Sequence, residues 1–210
     1  MTDARPAERF RALHYLAGAG ACGWFAVEPV SRRLVMYREW VPDAPISIAR
    51  FARGIRERST GTNGYAERYS GTWGNEELFA GKDDAGRPCD ALTWEGVDCY
   101  PAPGDVDARA DRLLAYTEPV WLLLPGGHQE ETSRLVVDPS CVRTAAALQK
   151  AGRDSEDPLV LLVRYACVSR DPGECRLRDP EQQALDLAER ETLERERRRD
   201  EGRPRRPAWR

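Results

Sequence analysis

Two apolar runs on either side of a short turn constrain this chain more than any other feature. Gly23-Trp24-Phe25-Ala26-Val27 reads as a strand, Pro29 to Arg33 as a turn, and Leu34-Val35-Met36-Tyr37-Arg38-Glu39-Trp40 as a second strand. In the second run Leu34, Met36 and Arg38 fall on one face and Val35, Tyr37 and Glu39 on the other, the alternation of a pleated strand. The two runs predict an antiparallel hairpin. The segment before it, Ala12 to Ala17, predicts either a further short strand or a short helix.

Helices follow the hairpin. Ile48, Phe51, Ala52 and Ile55 recur at the spacing of one buried helical face, and Arg50, Arg53, Arg56 and Arg58 lie mostly off it. Tyr65 to Pro88 reads as a loop with short structured pieces, Ala91 to Glu95 as a short helix and Val97 to Tyr100 as a short strand. Val106 to Tyr116 predicts a helix with Ala110, Leu113 and Leu114 as its apolar positions. Val120 to Leu124 and Leu135 to Val137 read as buried strands, paired in a hairpin or lying as neighbours, with His128-Gln129-Glu130-Glu131 as an exposed tip.

Pro139 to Ala151 predicts another helix. Asp157-Pro158 then starts a nearly all-apolar one, Asp capping and Pro occupying a position whose N–H would be unpaired anyway. Asp179-Pro180 repeats the device for a long, charged helix from Glu181 to Glu201, and Arg203 to Arg210 is a basic tail. The expected organisation is a domain over residues 1–177 and a charged helix with its tail over residues 178–210. The order of elements predicts a mixed α/β sheet with helices on its faces.

Bulk composition narrows the classes. At 41% hydrophobic and 32% charged residues the chain is globular rather than disordered. No apolar run reaches the roughly 20 residues needed to cross a bilayer, and residues 1–10 lack the pattern of a secretory signal. A cytoplasmic location, with no membrane partner, is the expectation. The net charge of −3 gives no global attraction to nucleic acid, though a local basic track would not need one. The six cysteines form no Cys-x-x-Cys pair and the two histidines stand far from them, so structural zinc is not expected.

Five pieces, in order, carry a resemblance. Trp24 to Pro29 with Leu34 to Trp40 is similar to the opening hairpin of the nuclease domain of phage terminase large subunits, and the helix around Ile46 to Ile55 is similar to the one that follows there. Asn75-Glu76-Glu77-Leu78-Phe79 sits where that family has an Asp-containing segment. Arg134 to Cys141 resembles its strand-to-helix join, and Asp157 with Arg164-Tyr165-Ala166 resembles its closing DHxxDALRYA helix. The resemblance implies an RNase H-like mixed sheet and metal-dependent cleavage of concatemeric double-stranded DNA during viral genome packaging. It also implies Mg²⁺ or Mn²⁺ as cofactor, held by carboxylates because hard cations take oxygen ligands, and a separate motor chain or a portal as partner, inside a bacterial host cell.

The chain departs from that family where the metals would bind. The first-strand Asp falls near His14, the middle Asp at Asn75, and the later Asp of the closing helix on Leu161. No Gly-x-x-x-x-Gly-Lys-Ser/Thr phosphate loop, the mark of the motor half, occurs. What remains for a catalytic role is Asp157 and Glu76, and for a metal Asp157, Glu76 and Glu77. Each has a plain alternative: Asp157 as a helix cap, the two glutamates as solvated loop charges. Glu39 matches a family Glu and admits a structural hydrogen bond as readily as chemistry. Trp73, Trp94 and Trp121 admit base stacking or packing, and Asp83 with Asp84 admits turn chemistry. Two functions stay open, a packaging nuclease and a binding component on DNA or portal whose acids have drifted, alongside an unrelated α/β interaction domain.

Overall fold

The computed structural model describes residues 8–60, 66–80, 87–124 and 127–170. All of them belong to one compact unit. The long charged helix and basic tail expected beyond residue 177, and the Asp83-Asp84 pair, lie outside the described residues.

A six-stranded sheet, ordered β5 (Tyr100–Pro101), β4 (Thr72–Gly74), β1 (Glu8–Leu16), β2 (Ala19–Val27), β3 (Leu34–Trp40) and β8 (Leu135–Val137), forms the centre. Strand β1 (Glu8–Leu16) turns back into β2 (Ala19–Val27) through Ala17 and Gly18, both at positive φ. That pair is the two-residue hairpin loop whose twist matches the strands. β2 pairs antiparallel with β3 (Leu34–Trp40), as the apolar runs predict. β4 (Thr72–Gly74) lies parallel to β1, β5 (Tyr100–Pro101) parallel to β4, and β8 (Leu135–Val137) parallel to β3. The segment left open between strand and helix is thus the nine-residue central strand β1.

Alternation along β1 and β2 divides the core in two. Phe10, Ala12, Phe25 and Met36 pack on one face beneath α5 (Pro158–Val168), with α3 (Val106–Thr117) and α4 (Val142–Lys150) beside it. Leu13, Cys22 and Trp24 pack on the other beneath α1 (Ile48–Arg58) and α2 (Pro88–Trp94). α5 comes close enough because position 23 is glycine: a Cβ there would meet a methyl of Leu162 at 2.8 Å and Met36 Cε at 2.9 Å. Each large apolar side chain fully buried this way contributes roughly 1.5–3 kcal/mol.

One expectation is corrected. The runs Val120 to Leu124 and Leu135 to Val137 do not pair with each other. β6 (Pro119–Leu123) pairs with β7 (Gln129–Ser133), so the expected hairpin tip is largely a strand, while β8 joins the main sheet. The reason is burial: β8 has an apolar seat against β3, whereas β7 is polar because its side chains stand outside either core. No helix among the described residues is long and apolar enough to cross a membrane.

Candidate functional site

The parallel pairing of β1 with β4 sets Leu13 against Gly74, so His14, still within β1, and Asn75, the first residue past β4, come to the same end of the sheet. α5 brings Leu161, Arg164 and Tyr165 over that end, α3 brings Arg109, and the loop before α5 brings Asp154, Ser155 and Glu156. Together with Glu76 and Glu77 they line a hollow of about 510 Å³. The three positions at which the resemblance calls for a metal-binding acid, His14, Asn75 and Leu161, therefore converge on one cavity, and none is an acid.

Each replacement is held in place. Asn75, 2% exposed, extends the sheet through its amide: Tyr15 N–H donates to Oδ1 at 2.9 Å and Nδ2 donates to the Tyr15 carbonyl at 2.9 Å. The second Nδ2 hydrogen goes to Glu77 Oε2 at 2.8 Å, so every amide hydrogen has an acceptor. An Asp at this position has no hydrogen to offer the Tyr15 carbonyl. His14 is buried against Tyr165, its Nδ1 3.3 Å from the phenol oxygen. Burial holds the imidazole below the ordinary histidine value, against an opposing pull from the Glu77 charge. Burial pushes the Tyr165 phenol up to about 12, against the pull of Arg109.

Two fixed cations, Arg109 and Arg164, border the hollow. Arg109, only 7% exposed, donates from Nη2 to the Ala102 carbonyl at 2.7 Å and to Glu76 Oε1 at 3.0 Å, and from Nε to the Pro103 carbonyl at 3.2 Å. Its guanidinium lies 5.3 Å from the centre of the Tyr165 ring. Arg164, 3% exposed, donates to the carbonyls of Gly152, Arg153 and Ser155 and so pins the loop carrying Asp154 to Glu156. The Asn75 amide, its own backbone N–H and, more weakly, His14 and Arg109 hold the Glu77 carboxyl below the usual range, burial opposing them.

Glu76 and Glu77 line the hollow. Asp157 does not line it. Its Oδ1 accepts from Leu159 N–H at 2.8 Å as the cap of α5, and it borders a separate hollow with Val41, Arg143 and Lys150. Glu39 caps α4 from a distance in sequence: Oε1 accepts from Arg143 N–H at 2.9 Å, and Oε2 from Thr144 N–H at 2.8 Å and the Thr144 hydroxyl at 2.6 Å. Trp73 packs edge-on against Phe10, whereas Trp94 is 89% exposed at the end of α2. The sequence pattern alone does not mark Arg109 or Arg164 as site residues. Both left a trace: Arg109 shares a helical face with Leu113 and Tyr116, and Arg164 is the one cation in an otherwise apolar helix.

A pair of hard divalent ions needs several carboxylate oxygens around one point. Here a neutral imidazole, a fully bonded amide and an aliphatic chain stand at the central positions, and Glu76 is engaged by Arg109. Among the described residues no group of three or more His, Cys, Asp or Glu side chains is placed to hold a metal ion. The residues present do not fit a two-metal centre.

The nuclease domain of the P22 large terminase superposes on this chain with a TM-score of 0.54 at 10% identity, over 81% of this chain and 87% of that domain. The chain has the RNase H-like fold of a terminase nuclease. The nuclease domain of the large terminase of bacteriophage SPP1, solved with bound Mn, matches at a TM-score of 0.48 and 15% identity, over 78% of this chain and 86% of that one. No protein-family model and no curated protein sequence matches the chain.

Proposed function

We propose that this terminase-nuclease-like protein is a viral genome-packaging component that binds double-stranded DNA without cutting it, in a bacterial host cell and beside a separate motor chain or portal. The observation that carries the reading is the replacement of the three convergent acid positions by His14, Asn75 and Leu161, with Arg109 fixed over Glu76. A phosphodiester in flight needs a metal-activated water and metal-neutralised oxygens. An unprotonated imidazole and an amide spent on backbone groups supply neither.

The competing reading keeps cleavage with Mg²⁺ or Mn²⁺ on Glu76, Glu77 and Asp157. It is favoured by the two glutamates facing the hollow, and disfavoured by Asp157 facing elsewhere. Plasmid nicking with Mn²⁺ separates the two. The parent, Asp157→Ala and Glu76→Ala should all match the protein-free control. The variant His14→Asp/Asn75→Asp/Leu161→Asp should gain saturable Mn²⁺ binding by titration calorimetry, which the parent should lack. Nicking by the parent that vanishes in either single variant sinks the non-cleaving proposal.

A further inference from the structure

The chain carries a net charge of −3, yet the α1 side of the sheet is rich in guanidinium groups. α1 buries Phe51, Ala52, Gly54 and Ile55, and the spacing leaves Arg50, Arg53, Arg56 and Arg58 exposed, with Glu57 the only acid in the helix. The carboxylates nearby are shared. Arg53 Nε and Arg56 Nη1 both reach Glu95, at 3.4 and 2.7 Å. On the same face Arg9 and Arg38 both reach Glu67, at 3.7 and 3.3 Å. Two cations per acid leave a positive excess that pairing within the protein does not cancel.

The shape suits an extended polyanion. Beside α1 runs a hollow of about 760 Å³, bordered by the 42–47 loop, into which Arg50, Arg53 and Arg58 face, with Asp43 and Glu57 on its walls. Arg58 is steadied by its own bond to the Gly54 carbonyl at 3.2 Å and by the Trp40 ring 4.3 Å away. From Arg50 to Arg58 the helix spans about 12 Å, and a duplex alongside presents roughly seven phosphate charges over that distance. Guanidinium forks suit phosphate oxygens.

We propose that the arginine face of α1 is the surface on which this protein holds duplex DNA, through phosphates and without reading bases. The proposal rests on the DNA-binding reading above and names its surface, on the face of the sheet opposite α5. Binding of this kind releases counterions and weakens steeply with salt.

The test is fluorescence anisotropy of a labelled duplex of about 30 base pairs with the full chain, between about 50 and 200 mM salt. Arg50→Gln/Arg53→Gln leaves Arg56 to pair with Glu95. It should weaken binding about tenfold and lower the log–log salt slope by about 2. Arg143→Gln/Lys150→Gln removes the same charge from α4 and should bind as the parent does. Arg50→Lys/Arg53→Lys should retain most binding, which separates lost charge from lost structure. A parent that does not bind, or equal weakening by the α1 and α4 variants, overturns the proposal. Nicking by the parent with α1-dependent binding sinks only the non-cleaving reading; no nicking with α1-independent binding sinks only this one.

Discussion

Glu39 and Asp157 each aim a carboxylate at the first turn of a helix, whereas the positions facing the hollow between β1, β4 and α5 hold His14, Asn75 and Leu161. The first region carries acids at these positions, whereas the three positions in the second carry none and its acids, Glu76, Glu77, Asp154 and Glu156, come from the flanking loops. The contrast has a physical reason. A capping carboxylate is satisfied by N–H groups that the helix start always presents, and the helix dipole favours its charge. Carboxylates gathered at one point repel one another unless cations sit among them. In the hollow the groups are instead bonded within the protein: an amide extends the pairing of β1 with β4, an uncharged imidazole meets a phenol, and Arg109 supplies a fixed positive charge.

If the surviving acids are caps, removing them should harm the fold and nothing else. Glu39→Ala should have the largest effect. It strips three hydrogen bonds from the start of α4, two of them from the fully buried Thr144. Urea denaturation should show a loss of about 2–3 kcal/mol, and Glu39→Gln, which keeps an acceptor, a smaller one. A loss below a few tenths would mean that Glu39 is free for another role and would break the comparison.

Asp157→Ala comes next. It removes a single bond, to Leu159 N–H, while Pro158 still presets the helix start. The expected loss is about 1 kcal/mol. Asp157→Asn or Asp157→Ser should restore most of it, since either side chain caps without a full charge. A metal ligand would not be rescued by Ser, so failure of that rescue would move Asp157 out of the capping class.

How much of this was legible follows from where each side chain finds its partner. β2, β3, α1 and α5 show in the sequence because their apolar spacing or Asp-Pro start is local. β1 was half-hidden because Arg9, Arg11 and His14 interrupt its apolar pattern. Arg11 is buried because partners far along the chain meet it: Thr72 and Ser59 accept its hydrogens at 3.0 Å, and its guanidinium lies 4.4 Å from the centre of the Tyr69 ring. β7 offers no apolar signal, being a polar strand held by its pairing with β6. In the hollow, the resemblance pointed to His14, Asn75 and Leu161, and all three line it. It could not show that Arg109 reaches across from α3 to Glu76, because that bond joins residues 33 positions apart.

The smallest expected effect concerns His14 and sharpens the hollow's side of the comparison. Burial lowers its pKa, opposed by Glu77, so at neutral pH the folded chain carries it uncharged beside Tyr165 and near Arg109. The sign is fixed by linkage: as pH falls through the ordinary histidine value of 6.5, the unfolded chain takes up a proton that the folded chain refuses. Stability is therefore fully present above that pH and declines as pH falls towards the depressed folded value. Glu77 and Glu67, both held below the usual carboxylate range, add their own losses only at lower pH. Urea midpoints of the parent and His14→Gln, compared at neutral pH and about one unit below pH 6.5, isolate the histidine, because His128 is exposed and stays in both. The gap between the two proteins should shift in favour of the variant on acidification. Parallel profiles would mean that the imidazole titrates as freely when folded as when unfolded, and a charged His14 could not then stand in for the missing acid as a neutral partner of Tyr165.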